Sequence, residues 1–197
     1  RYGAYPVIWC ASGEALLPFY GRQFGKTASE RKRNKDEYNK KVRLGWTEAV
    51  RHIKDTDPFK HPVTIHPILG YGHDMVDDAS ILDINLLQTG HTAHDTPANT
   101  ITMLKSALNK TPGKPVLVAE ACYEGILDAS WQDVQRFLFW SSFLSGSMGY
   151  TYGASGLWQF NRQGDMLGPS AHGFSWGDEL WKDAYKLPGS LQLGLGK

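Results

Sequence analysis

The sequence predicts a parallel α/β fold. Short apolar runs of four to six residues alternate with helical stretches along the 197-residue chain. Runs of that length suit strands covered on both faces, as parallel strands are. Three of them share one grammar: YPVIWCASGE from Tyr5, HPVTIHP from His61 and KPVLVAEACYEG from Lys114. Each opens on a polar or aromatic residue, continues with Pro-Val and apolar residues, and ends on residues fit for chemistry. Proline at the first strand position is tolerated because its missing N–H falls outside the ladder. Doubly wound and barrel forms both fit this alternation. The doubly wound form usually carries a glycine-rich first turn, and neither GxGxxG nor GxxxxGK[ST] stands in the sequence. In barrels the chemistry sits at the C-terminal strand ends, which is where Glu14, His66, His91, Glu120 and Trp158 fall.

Five strands are expected, over residues 7–11, 63–66, 84–87, 116–119, and 149–152 continuing towards Trp158. A helix over 46–54 follows Gly45 and stops before Asp57-Pro58. Thr96 reads as an N-cap with Pro97 at N1. Ile101, Leu104 and Leu108 then repeat at spacings of three and four until Pro112-Gly113 stops the helix. Ser130 with Asp133 resembles a capping box, and Val134, Phe137, Leu138 and Phe143 follow as one face up to Gly146. A weaker helix over 178–186 is ended by Pro188-Gly189. The whole is one domain, 1–197, interrupted by a charged insertion at about 19–43 with helical character over 28–41. Glu30, Asp36 and Glu37 offset its positive charges, so a solvated segment explains it better than a patch for acidic glycans or nucleic acid.

Composition narrows the function classes. The net charge of +1 gives no electrostatic case for nucleic acid or an anionic membrane. No run of about 18 apolar residues exists to span a bilayer. The opening RYGAYPV lacks the apolar core of a signal peptide and reads as the interior of a fold. Two cysteines, Cys10 and Cys122, are too few for a disulfide framework. Seven tryptophans suit a sugar-binding cleft, and a large core would also account for them.

A buried strand that finishes on an acid needs a reason, because a carboxylate is costly to bury unless it is paired or used. Glycoside cleavage supplies one. It takes a carboxylic acid to protonate the leaving oxygen and a second carboxylate to attack the anomeric carbon or activate water, the two standing roughly 5–5.5 Å apart in retaining enzymes. Glu14 follows the first strand and Glu120 the fourth. Three strands apart around an eight-stranded barrel, they would face each other across its mouth. The competing role for Glu14 is an acid at a helix N-terminus. Glu124 lies past the strand, and a surface or supporting role suits it. His66 and His91 each close an apolar stretch and fit hydrogen-bonding imidazoles in a polar cleft. Neither HxH nor HExxH occurs, so no metal and no cofactor are expected. There is no GxSxG elbow for a serine hydrolase. Trp9, Tyr123, Tyr152 and Trp158 complete the set of candidate sugar contacts, and each aromatic fits a core equally, except Trp158, which sits at a strand end in GLWQF.

The segments YGAYPVIWCASGE, HPVTIHP, LLQTGH, KPVLVAEACYEG and GYTYGASGLWQF, in this order, resemble the apiosidase-like (DUF4038) glycoside hydrolase family, family 140 and its relatives. They do so over most of the chain. The resemblance implies a TIM-like (β/α)8 barrel of which this chain holds strands 4 to 8, with Glu14 as acid/base and Glu120 as nucleophile of a retaining mechanism. It implies a plant- or algal-type polysaccharide as substrate, apiosyl linkages first, and a secreted or periplasmic location. Two departures stand out. Members can carry Asp where this chain has Glu14, and the charged insertion is atypical. Five βα units do not close a barrel and leave strand edges open. An N-terminal half or a second chain is therefore the expected partner. The alternative to an enzyme is a non-catalytic carbohydrate-binding protein on an incomplete barrel.

Overall fold

The computed structural model describes residues 4–16, 24–110, 113–166 and 176–196. It is a mixed α/β structure of two compact units. The first comprises residues 1–87 with 113–115, and the second residues 88–112 with 116–197.

In the first unit, β1 (Trp9–Cys10) pairs in parallel with β2 (Val63–Thr64), Trp9 opposite Val63 and Cys10 opposite Thr64. Between them runs α1 (Ala28–Thr56), 29 residues long. Its start is a capping box: the Glu30 amide donates to the Thr27 hydroxyl, and the Thr27 amide donates to the Glu30 carboxylate. The charged stretch from Ala28 and the stretch around Trp46 are thus one helix. Its interior glycine, Gly45, costs about 1 kcal/mol there but is exposed and does not break it. Residues 19–23, where the insertion was expected to begin, lie outside the described residues. The helix buries Thr47 and Val50 against Val63, Ile65, Met75, Val76 and Leu82, with Trp9, Trp46 and Ile53 around them.

A strand absent from the expectation, β3 (Gly70–Tyr71), lies beside β4 (Asn85–Gln88). Two residues carry too little periodicity to be read from sequence. The chain entering β4 runs alongside β2: the Asp83 amide donates to the Val63 carbonyl at 2.9 Å, and the Thr64 hydroxyl donates to the Ile84 carbonyl at 2.7 Å. Beyond that point Gly72 is wedged in. A side-chain carbon there would lie 2.6 Å from the Ile65 carbonyl oxygen and 3.2 Å from the Leu86 nitrogen, so only glycine fits.

The second unit begins with the last residue of β4. It contains α2 (Thr96–Lys110), β5 (Val116–Glu120), α3 (Gln132–Leu144), β6 (Gly149–Tyr150), α4 (Trp181–Ala184) and α5 (Pro188–Gly194). Strands β5 and β6 pair in parallel, Leu117 opposite Gly149 and Val118 opposite Tyr150. Val116 and Val118 are buried while Leu117 and Ala119 are half-buried, so β5 is sealed on one face and partly covered on the other. Helix α2 packs on β5, and α3 packs on β6, α2 and α5.

Four expectations are corrected here. Strand β6 stops at Tyr150, and the chain reaches Trp158 through turns instead of strand. Ser130 does not cap α3, whose N-cap is Trp131 without a side-chain bond; the Ser130 carbonyl instead accepts from the Gly125 amide. On α3, Val134 and Leu138 are buried, but Phe137 and Phe143 are about half exposed. Phe137 precedes Leu138 by one position, which turns it by about 100° away from the buried stripe. Pro188 opens α5 at N1 instead of closing a helix, because its missing N–H is one of the unsatisfied donors of a first turn anyway. Pro112, the expected stop of α2, lies outside the described residues. No closed barrel is formed among the described residues, and no helix there is long and apolar enough to cross a membrane.

Asp57, the C-cap of α1, fastens the first unit together. Its carboxylate accepts from the Trp9 indole (3.1 Å), the Phe59 amide (3.0 Å), the His61 amide (2.9 Å) and the His61 ring (2.8 Å). Burial pushes this carboxyl up, but the four donors together outweigh it and hold the group well below the ordinary carboxylate range. A depressed folded value contributes stability above the unfolded carboxylate value, about 3.9, that is lost as pH falls below it. Asp57→Asn is therefore expected to melt below the wild type at neutral pH. It should also show a flatter decline in Tm between about pH 5 and pH 2, where the unfolded wild-type chain takes up a proton at Asp57 that the folded protein does not. Thermal melts across that range check both.

Candidate active site

Glu120 is delivered by β5. Alternation places it on the same face as the buried Val116 and Val118, so packing fixes the strand that carries it. Its carboxylate is held by the end of β4. The Gln88 side-chain amide donates to Oε1 at 3.0 Å, and His91 Nε2 lies 3.0 Å from the same oxygen. Both come from a segment that is itself tied down. The Thr89 amide donates to the Glu120 carbonyl (2.8 Å), the Thr89 carbonyl accepts from Asn99 of α2, and the Thr89 hydroxyl accepts from Thr100 of α2 (2.7 Å). Gly90, at φ 106, supplies the reversal that brings His91 back towards the carboxylate.

His91 stands between two aromatic rings. Tyr123 packs at 4.8 Å between centroids, tilted by 41°, and Trp176 meets it edge-on at 6.0 Å. Its Nδ1 is buried with no hydrogen-bond partner among the described residues. Nε2 is therefore the ring nitrogen that meets Glu120 Oε1. The Tyr123 ring is seated by Gly153, where a side-chain carbon would lie 2.2 Å from the ring.

Glu14 stands in the first unit, in the turn after β1. That turn is bracketed by His66: the His66 amide donates to the Ser12 carbonyl and the Ala15 amide donates to the His66 carbonyl, both at 3.1 Å. Trp46 adds an indole donor to the Ala15 carbonyl. Glu14 is partly exposed between these anchors. The His66 ring lies with Nδ1 2.8 Å from the Pro67 carbonyl. Trp9 is engaged with Asp57 and packs on the first unit's core. Trp158 is half exposed in the second unit. The structure thus brings Glu120, His91 and Tyr123 together. It places Glu14 and His66 together separately, and it gives Trp9 to packing.

Tyr152 serves Glu124. Glu124 is fully buried, which rules out the surface alternative expected for it and leaves the supporting one. Its Oε2 accepts from the Tyr152 hydroxyl at 2.5 Å and from the Gly189 amide at 3.0 Å. A side-chain carbon on Gly189 would lie 2.2 Å from that oxygen, so the approach needs glycine. The Glu124 backbone pairs at the same time with Gly153 and Ser155. Burial pushes the Glu124 carboxyl above its ordinary range, against the pull of the Tyr152 and Gly189 donors. Burial and the adjacent carboxylate push the Tyr152 phenol up.

Gln88 and Trp176 were not found from the sequence. Gln88 carried a usable signal, since a polar amide ending the buried run NLLQ needs a partner just as Glu120 does. Trp176 carried none, because it lies 56 residues after Glu120 in a loop. Among the described residues, no three or more His, Cys, Asp and Glu are grouped to hold a metal ion.

The chain superposes on glycoside hydrolases of known structure. One, described as a glycoside hydrolase, superposes with a TM-score of 0.63 at 26% identity, over 75% of this chain and 37% of its own. Another, a glycoside hydrolase family 5 protein from Bacteroides vulgatus ATCC 8482, gives 0.63 at 27% identity, over 82% of this chain and 36% of its own. The chain thus spans little more than a third of either. The family model for the apiosidase-like catalytic domain matches residues 1–197, and the chain belongs to that family. No curated protein matches it.

The Glu124 knot yields a stability test. Glu124→Ala leaves the Tyr152 hydroxyl and Gly189 amide without their acceptor, a cost of about 1–3 kcal/mol for each group. Glu124→Gln keeps an acceptor for Gly189 and should cost less. A raised folded value contributes stability that is present below the unfolded carboxylate value, about 4.3, and lost as pH rises through the folded one. Glu124→Gln should abolish that loss. Denaturant unfolding of the three proteins at acid and neutral pH measures it.

Proposed function

We propose that the chain is part of a retaining glycosidase acting on a plant- or algal-type polysaccharide, on an apiosidase-like barrel of which it supplies strands 4 to 8. In that count β1, β2, β4, β5 and β6 are the strands, and β3 is an addition at the β2–β4 junction. The observation that carries the reading is Glu120 Oε1, held by Gln88 and His91 at 3.0 Å each at the end of a buried strand. A nucleophile must be held still, and two contacts on one oxygen support that reading. The anomeric carbon is attacked by Glu120 while Glu14 protonates the leaving oxygen. Glu14 then takes a proton from water, which releases the sugar from Glu120 with its configuration kept. Tyr123 and Trp158 are the proposed sugar contacts in the second unit, and His66 in the first. A partner half, from the same longer chain or a second one, completes the barrel. The matched hydrolases extend well beyond the region this chain covers.

A non-catalytic carbohydrate-binding protein is the second reading, favoured by the missing strands. Glu120→Gln separates the two. An enzyme should lose roughly 10³-fold or more in kcat and keep its stability. A binding protein should keep its affinity for the same oligosaccharide. The screen that precedes this test uses pectic, arabinogalactan and sulfated algal oligosaccharides. Retention is read from the anomer first released, by NMR. A 2-fluoro glycoside of the released sugar should label Glu120; a label on Glu124 overturns the assignment.

Gln88→Ala and His91→Ala each remove one donor from Glu120. Each is expected to lower kcat by about 10- to 100-fold with a smaller change in KM, because the carboxylate is held less well in the transition state. Steady-state kinetics on the oligosaccharide cleaved by the wild type check this.

A further inference from the structure

Residues 176–181 form a strap docked on the loops that follow β5 and β6. The Trp176 carbonyl accepts from the Leu127 amide at 2.9 Å and from the Ser155 hydroxyl at 3.3 Å. Leu127 adopts a left-handed backbone, φ 53, in the short 3-10 turn that presents this amide, a conformation a leucine takes only at a cost. Asn161, almost fully buried, donates its side-chain amide to the Gly177 carbonyl (3.2 Å) and the Glu179 carbonyl (3.1 Å). Its own carbonyl accepts from the Trp181 amide at 2.9 Å. Two glycines let the strap lie this close. A side-chain carbon on Gly177 would stand 2.2 Å from the Ser155 hydroxyl, and one on Gly156 would stand 2.3 Å from the Glu179 carbonyl oxygen. Buried amides and strained backbone thus converge on one segment. That segment holds the Trp176 ring 6.0 Å from His91, the residue in contact with Glu120.

We infer that Trp176 is an aromatic wall of the sugar subsite at Glu120, and that Asn161 is the positioning residue that sets where this wall stands. The inference rests on the glycosidase reading and adds to it a specificity determinant. The ligand class is a pyranose or furanose ring bound with its apolar C–H face towards the indole, beside the His91 edge. Stacking against a tryptophan rewards a ring with C–H groups gathered on one face, so Trp176 selects among sugars and does no proton transfer.

The test uses the full chain and whichever pectic, arabinogalactan or sulfated algal oligosaccharide the wild type cleaves. Trp176→Ala is expected to lose roughly 10²-fold in kcat/KM, most of it as a rise in KM, and Trp176→Phe to recover most of the loss. Asn161→Ala is expected to lose about 10-fold through the same parameter. The double variant should be no worse than Trp176→Ala alone, because Asn161 acts through the indole. An independent readout is the His91 ring resonances in protein carrying labelled histidine. They should shift in Trp176→Ala and Asn161→Ala, and stay in place in Phe137→Ala, a change on the outer face of α3. A Trp176→Ala protein that cleaves within two-fold of the wild type overturns the inference and leaves the glycosidase reading standing. Fully additive effects of the two substitutions overturn the role of Asn161. A wild type that cleaves none of the panel, with the barrel completed, overturns the glycosidase reading and the inference with it.

Discussion

Burying a carboxylate is expensive unless donors meet it, and this requirement shapes the described structure in three places. Glu124 is the most demanding, because no part of it reaches water. Its donors are the Tyr152 hydroxyl, just past β6, and the Gly189 amide in the first turn of α5. Satisfying one side chain therefore fixes the loop after β5, the end of β6 and the approach of the last helix together. The helix start is suited to the task. Pro188 at N1 leaves the next amide, Gly189, unclaimed by the helix and available to the acid. Asp57 does the same in the first unit, drawing β1, the end of α1 and the entry to β2 onto one group. Glu120 differs in being partly open, with donors on one oxygen from one neighbouring segment. The first two carboxylates are fasteners, and the third stands partly exposed at a strand end.

Much of this was legible in the sequence, and the failures have physical causes. All five expected strands are present, three of them shorter than expected, since strands of a parallel sheet are apolar and Pro-Val stands at or before the start of three of them. Glu120 and His91 were legible because they end such runs. Helix limits were read less well. Gly45 reads as a boundary, yet a 29-residue helix with a capping box absorbs one exposed glycine. TASE at Thr27 was the stronger signal, and it marks the true start. Pro188 is ambiguous between stop and first turn until the packing of α5 on α3 is known. The burial of Glu124 was not legible because its donors lie 28 and 65 residues away, and no local pattern records them. Trp176 is the same case, placed by Asn161 and two glycines rather than by any element of its own.

The family assignment and the site geometry support each other without repeating each other. The family model covers residues 1–197 and says nothing of which side chains meet. The geometry says which donors face Glu120 and why, and says nothing of the sugar. What joins them is a physical demand. A displacement at an anomeric carbon needs a carboxylate that is ionised, immobile and reachable. Glu124 fails the last condition because it is sealed off, and its carboxyl is pushed towards the neutral form. Glu120 is partly exposed and accepts from Gln88 and His91. Two glutamates four residues apart thus differ in burial and in partners, and the proposed roles follow that difference.

Glu14 and Glu120 are mounted by the same device, and this is the meaning of the repeated Pro-Val grammar. In each case an apolar strand carries the chain to its C-terminal end, and the backbone of the neighbouring strand's last residues clamps the point where the acid emerges. For Glu14 the clamp is His66, whose amide and carbonyl bond to Ser12 and Ala15. For Glu120 it is Thr89, whose amide bonds to the Glu120 carbonyl and whose side chain and carbonyl are anchored by α2. A main-chain clamp does not compete with the side chain for donors. The ring-bearing residues near these two clamps are His66 and His91. His66 gives its own backbone to the clamp, whereas at Glu120 the backbone is that of Thr89 and the His91 ring meets the acid. There an imidazole can orient a carboxylate, as His91 does, or meet a substrate hydroxyl. A parallel sheet offers such a clamp at every strand end, and in this chain two of the clamped ends carry an acid.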